Sequence, residues 1–370
     1  MTTLLACFPL LLTVGLVLLG FVIRRPARRL WLTVSLVTLA CLLADAVLLA
    51  ALPRLGLSFG PVAGPLLLVN ATRLAILVAG LLLLLALGAR LKWTRPLVLS
   101  LVLIQAVLLV LEFDGLYIEP FRLTVTEVRQ EAPAFLPDRP LRILQISDLH
   151  VERTTIRERA MLREVNELQP DIIVLTGDYI NQDYLHDPAA WADARGIISQ
   201  LYAPYGVYAV SGNTDVSPIM AEVFDGLDNV RVLDNAVKPI SFPGGILYLV
   251  GVSINGDINI DRAMLSSLVA EYPSDAYFVL LYHVPDMIGT ASDLGIPLFL
   301  SGHTHGGQIR LPFYGALITF SDYGKQYEMG RYQVGPTTLY VSRGLGMEGL
   351  DMPRIRFLCP PEIVLFELGQ

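Results

Sequence analysis

Four apolar runs fill the first third of the chain and leave it few ways to fold: Leu4–Ile23, Leu30–Leu52, Pro65–Leu87 and Leu97–Leu111. The first three are 20, 23 and 23 residues long, and a helix needs about 20 apolar residues to cross a bilayer core. The fourth is shorter and extends toward Leu116, with Glu112 and Asp114 near its end. The pattern predicts a transmembrane bundle of four helices over 1–116. A cleaved signal peptide fits the first run poorly. Its positive charges follow the apolar stretch, and three more runs come after it.

Basic residues set the expected orientation. The loop after the first run carries Arg24, Arg25, Arg28 and Arg29, and the loop after the third carries Arg90, Lys92 and Arg95. The loop between the second and third has only Arg54. Basic loops stay in the cytoplasm, so a multi-pass protein of the cell membrane is expected, with both termini and everything after residue 116 outside. Asp45 and Arg73 fall inside runs two and three. Two readings stand for them: a buried ion pair, or an arginine that snorkels to the outer surface.

The remainder has a different composition. Residues 120–370 hold 18 basic and 30 acidic residues, a net charge of −12, which argues against a nucleic-acid partner. Only one of the three cysteines, Cys359, lies there, so the segment has no internal disulfide. A proline-rich linker over 117–140, with a short strand at Arg122–Val128, leads into a domain over 141–370. Strand-like runs recur at Leu141–Ile146, Ile172–Thr176, Val207–Val210, Ile246–Val252, Tyr277–Tyr282, Pro297–Leu300, Thr338–Val341 and Ile363–Phe366. Helical patterns at Ile156–Leu168, Pro188–Leu201, Val216–Leu227, Asp261–Ala270 and Pro285–Asp293 alternate with several of them. The fold class is a layered α/β domain with one substantial core.

Five of these strands end in polar residues of one chemical kind. Asp148 and His150 follow the first, Asp178 the second and Asn213 the third; His283 follows the fifth, and His303 and His305 the sixth. Gly177, Gly212 and Gly302 stand just before three of these residues and permit a sharp turn. Ligands of α/β sheets bind outside the carboxyl ends of the strands. A lone histidine there is usually structural, but four of the chain's five histidines are placed this way. Mixed histidine and carboxylate donors suit Mn, Fe or Zn. Seven are too many for one ion and suit two divalent ions sharing a carboxylate, as in two-metal hydrolysis.

The segments "DLH" (148–150), "GD" (177–178), "GN" (212–213), "YH" (282–283) and "GHTHGGQ" (302–308) together resemble the signature of the calcineurin-like metallophosphoesterases. The tail "VSRGLG…PPEIVLFEL" is similar to that of the membrane-associated bacterial branch. The resemblance covers roughly residues 140–370. It implies an αββα sandwich and a binuclear metal centre. Asp148, His150, Asp178 and His305 would hold one ion, and Asp178, Asn213, His283 and His303 the other, with Asp178 bridging. Asp178, Asn213 and His303 would be the catalytic residues, and Asn213 would also contact phosphate. Arg343, after a strand, is a candidate phosphate grip, with a surface or structural role as the alternative.

The chain departs from the family at Thr214, where a histidine is usual and is thought to protonate the leaving group or steady the phosphate. Threonine cannot donate a proton near neutral pH, so Thr214→Ala is expected to change little. His186 is the one spare histidine. The expected function is a membrane-anchored phosphoesterase acting on a phosphodiester or pyrophosphate, with a lipid-linked or cell-envelope substrate favoured by the anchor. The alternative is a catalytically degenerate metal-binding sensor or scaffold.

Overall fold

The computed structural model describes residues 95–215, 217–348 and 354–369, together with 39, 43, 74 and 77. The first three apolar runs lie outside the described residues apart from those four positions. The fourth is a single helix of 19 residues, Arg95–Phe113, along which Leu99, Leu103, Val107 and Val110 are exposed. Among the described residues no helix is long and apolar enough to cross a membrane. The chain divides into two units, 1–117 with 350–353 and 118–349 with 354–370.

The second unit is built on two six-stranded sheets. In the first, β1 (Thr124–Glu131), β14 (Glu362–Gly369), β2 (Leu141–Ile146), β3 (Ile172–Leu175), β4 (Val207–Ala209) and β5 (Val230–Val232) lie side by side in that order. In the second the order is β12 (Gly330–Val334), β13 (Thr337–Val341), β9 (Leu298–Ser301), β8 (Tyr277–Leu281), β7 (Gly245–Gly251) and β6 (Ala236–Phe242). Strands β2, β3 and β4 run parallel to one another, as do β7, β8, β9 and β13. A small hairpin, β10 (Arg310–Leu311) with β11 (Gly315–Ala316), stands apart.

Both faces of the central strands are covered, which is why they read as continuous apolar runs rather than alternating ones. Between the sheets, Ile143, Val174 and Phe366 of the first meet Leu249, Val279 and Leu298 of the second. On the far face of the first sheet, Leu144, Ile173 and Leu175 pack with Met161, Ile197 and Val223. Those three lie on the helices Ile156–Leu168, Pro188–Ile198 and Ser217–Phe224. On the far face of the second sheet, Val250, Leu280 and Phe299 pack with Leu265 and Ile288, on the helices Ile258–Ala270 and Ile288–Asp293. The result is four layers, helix–sheet–sheet–helix. The helix Ile156–Leu168 keeps its predicted bounds because Thr155 and Glu158 form a reciprocal capping box at its start.

One polar side chain interrupts the inter-sheet core. Gln145 of β2 is fully buried, and its amide donates to Thr176 Oγ1 and to the Ser301 carbonyl, each at 3.0 Å. It ties the carboxyl ends of β3 and β9 together across the gap between the sheets.

Candidate metal centre

The turns after β2, β3, β4, β8 and β9 place their polar residues at one edge where the two sheets meet. Short bonds fix this edge. The His303 N–H donates to Asp148 Oδ1 at 2.9 Å, and the Gly302 N–H donates to the His283 carbonyl at 2.8 Å. His283 Nδ1 lies 2.6 Å from the Thr176 carbonyl, which orients the ring and turns Nε2 inward. Gly177 has φ +94°, a conformation glycine adopts freely. Gly212 and Gly302 serve for a different reason than the expected sharp turn: neither has a positive φ. A Cβ on Gly212 would lie 2.1 Å from Asp178 Oδ1, and one on Gly302 2.3 Å from Asp148 Oδ2. They let the backbone approach the carboxylates.

Two groups of side chains result. Asp148, His150 and His305 offer donor atoms that all lie within 4.8 Å of one another, and so do Asp178, His283 and His303. His305 Nε2 is 3.0 Å from His150 Nε2 and 3.4 Å from Asp148 Oδ1. Asp178 Oδ2 faces both groups, 3.4 Å from His150 Nε2 and 3.1 Å from His283 Nε2. Asn213 is exposed at the mouth, with its Oδ1 2.8 Å from His303 Nδ1. All seven residues expected from the sequence thus converge.

These donors fit divalent cations. Asp178 Oδ2 and His283 Nε2 are buried and have no hydrogen-bond partner, which in a folded core marks a place reserved for something else. Two ligand atoms on one ion, each about 2.1 Å from it, stand roughly 3.0 to 4.2 Å apart. The separations among Asp148, His150, Asp178, His283 and His305 quoted above, 3.0 to 3.4 Å, fall in that range.

Electrostatics agree. Burial alone would raise the Asp178 carboxyl, yet the adjacent His283 and His150 rings outweigh it and hold the group well below the carboxylate range. Burial would lower His283, but the adjacent Asp178 charge pushes it up to about 10. The centre is an anionic site that demands a positive charge. His305 is pushed well down by burial and then by His150, leaving a neutral ring able to ligate.

Other expected residues are placed differently. The guanidinium of Arg343 donates to Glu362 Oε2 at 2.6 Å and Thr124 Oγ1 at 3.0 Å. That commits it to the junction of β1 and β14 instead of to a phosphate, because Glu362 is a buried carboxylate that needs a partner. His186 is exposed in the turn before the helix Pro188–Ile198. Thr214 is buried, and both its N–H and its hydroxyl donate to Asp178 Oδ1, at 3.0 and 2.9 Å. These bonds tie Thr214 to the carboxylate expected to bridge the ions, a contact the sequence did not show.

Two residues escaped sequence reasoning. Asp215 accepts from the N–H groups of Asp178, Tyr179 and Gly212 at 2.6 to 2.9 Å, stitching two strand-end turns together. Burial and the Asp178 charge push its carboxyl up to about 6. Glu348, in the loop after β13, joins His150 and Asp178 in a third group of donors. Its position in the glycine-rich stretch "GLGMEG" was the one available hint.

A fold of two sheets with mixed acidic and histidine donors at their shared edge defines a class of metal-dependent hydrolase. Residues 141–307 match the calcineurin-like phosphoesterase family. The metallophosphoesterase YkuE of Bacillus subtilis is 34% identical over 261 residues, spanning 68% of this chain and 87% of its own. The UDP-2,3-diacylglucosamine pyrophosphatase LpxG of Chlamydia trachomatis is 28% identical over 305 residues, spanning 67% of this chain and 90% of its own. The phosphodiesterase YaeI of Escherichia coli is 28% identical over 244 residues, spanning 64% and 85%. This chain belongs to the calcineurin-like phosphoesterase family and is a metal-dependent phosphoester hydrolase.

Proposed function

We propose that this chain is a membrane-anchored phosphoesterase with two divalent ions, Mn, Fe or Zn, that cleaves a phosphodiester or pyrophosphate bond in a lipid or cell-envelope molecule. The observation that carries the reading is Asp178, whose unpartnered Oδ2 sits between the two groups of donors. In this reading Asp148, His150, Asp178 and His305 hold one ion, and Asp178, Asn213, His283 and His303 the other. The ions supply Lewis acidity and offset the phosphate charge. Asn213, exposed at the mouth, would also contact a phosphate oxygen. Asp215 and Thr214 hold the Asp178 turn and carboxylate in place, so that Oδ2 keeps its aim.

Three features support a lipid-linked substrate at the outer face of the membrane. The four apolar runs have the length pattern of an anchor, and the basic residues between them favour an enzyme domain outside. LpxG, a relative, is a pyrophosphatase of a diacylated sugar nucleotide. The small hairpin and the segment after it expose apolar side chains, Leu311, Phe313, Tyr314, Leu317 and Phe320. The segment adjoins the centre, since His303 Nε2 is 3.3 Å from the Phe320 carbonyl. A patch of this kind fits acyl chains or the bilayer surface.

Turnover of bis(4-nitrophenyl) phosphate by the full chain supplied with Mn²⁺ tests the enzyme reading against the sensor or scaffold. Asp178→Asn should lose most of the bound metal and nearly all turnover. A variant that keeps two ions per chain and its rate would rule out a bridging carboxylate.

A further inference from the structure

We propose that Glu348 is an additional carboxylate ligand to the ion held by Asp148, His150 and His305. The inference rests on the two-ion reading above and adds to it a residue outside the strand-end motifs.

The loop after β13 reads "SRGLGME" over residues 342–348. Its glycines press it onto the first motif. A Cβ on Gly344 would lie 2.5 Å from Asp148 Cβ, and one on Gly346 2.6 Å from His150 Cβ. The N–H groups of Leu345 and Gly346 donate to the carbonyls of Ser147 and Asp148, at 2.9 and 2.6 Å. From behind, the buried guanidinium of Arg356 donates to the carbonyls of Arg343 at 2.9 Å and Gly344 at 3.1 Å, and also to that of Gly346. The loop has little freedom to lift.

The backbone of Glu348 is gripped on both sides. Its N–H donates to Gln308 Oε1 at 2.7 Å, and its carbonyl accepts from Arg354 Nη1 at 3.1 Å. With the main chain so fixed, the side chain reaches the centre. A carboxylate oxygen of Glu348 lies within 4.8 Å of the donor atoms of His150 and Asp178, and Oε2 is 3.9 Å from His305 Nε2. That separation is one two ligands of a single ion can have, each about 2.1 Å from it. Bringing a third carboxylate toward Asp148 and Asp178 costs free energy through like-charge repulsion unless a cation lies among them.

A role as proton donor to the leaving group would use the same position but a neutral carboxyl. The two roles differ in metal affinity. The metal-stripped full chain is titrated with Mn²⁺, and the same is done for Glu348→Gln, which keeps the shape and removes the charge, and for Glu348→Asp, which keeps the charge and shortens the reach. Thermal unfolding monitored by circular dichroism checks that each is folded. The wild type should bind two Mn²⁺. Glu348→Gln should weaken one of them by roughly 100-fold, the upper end of what even outer-sphere partners of a metal cost, and leave the other unchanged. Glu348→Asp should fall between, and it carries the test alone if Glu348→Gln is unfolded. Wild-type affinity at both positions in the folded variants overturns the proposal and leaves the two-ion reading standing. Fewer than two ions in the wild type overturns both.

Discussion

Thr214 donates to Asp178 twice at the same oxygen, through its N–H at 3.0 Å and its hydroxyl at 2.9 Å. Oδ1 is thereby occupied and Oδ2 is left to face the histidines. A hydrogen bond to a buried charged group contributes about 1.5–3 kcal/mol. Thr214→Ala should therefore lower kcat or Mn²⁺ affinity by roughly 10- to 100-fold, while Thr214→Ser, which keeps the hydroxyl, should stay near wild type. Kinetics and metal titration of both variants check this. Equal losses in the two would trace the effect to the missing methyl group instead.

Gly302→Ala should be as damaging as loss of a ligand. The new methyl group would sit 2.0 Å from Ser147 Oγ and 2.3 Å from Asp148 Oδ2, in a turn that has no slack because its neighbour His303 is bonded to Asp148. Metal content should fall together with turnover. Full activity in a folded Gly302→Ala chain would show that the turn gives way.

The chain has no histidine at 214, and His186 is exposed on a loop. Poor leaving groups therefore lack an evident proton donor, and general acid help is worth roughly 10²–10⁴-fold. Across a series of diesters, kcat/KM should fall steeply as the leaving-group pKa rises, with aryl diesters and pyrophosphates ahead of alkyl diesters. His186→Ala should not alter that slope. A shallow slope in the wild type, or a steeper one after His186→Ala, would reveal an acid in the site.

If the apolar hairpin and the segment after it meet lipid, polar exchanges there should separate two activities. Phe313→Ser with Phe320→Ser should leave turnover of a soluble aryl diester within about twofold. The same pair should reduce hydrolysis of a diacylated pyrophosphate presented in vesicles by an order of magnitude or more. Equal effects on both substrates would argue for a purely local disturbance of His303.

Reporter fusions after residue 116 should behave as extracytoplasmic, following the arginines of loops one and three. Cytoplasmic behaviour would mean a different number of spans.

Much of the enzyme domain could be read from the chain because its central strands are buried on both faces and appear as unbroken apolar runs. All eight expected runs of the 141–370 domain are strands in the structure. The edge strands β5, β6 and β12 were missed, since they are short or half exposed and carry Arg231, Lys238 and Arg331 among their residues. The seven strand-end residues were legible because histidine is rare here and clusters in the turns. Thr214, Asp215 and Glu348 were not. Their importance depends on which atom meets which, and Glu348 reaches the centre only because two glycines far along the chain allow the loop to lie flat on Asp148 and His150.

Asp148, His150, Asp178, His303 and His305 all have positive φ, between 38° and 70°. Non-glycine residues in such backbone cost on the order of 1 kcal/mol or more each, so the protein carries a standing instability concentrated in five of its seven donors. Glycine relieves that strain at each position, but at Asp148 and Asp178 it also removes the acceptor of buried hydrogen bonds, so a lineage released from chemistry would recover stability first at the histidines. This sequence has taken none of those steps. The same ledger makes inactive variants useful: His305→Gly should melt higher than the metal-free wild type, a gain in Tm obtained only where a residue is retained against the interest of the fold.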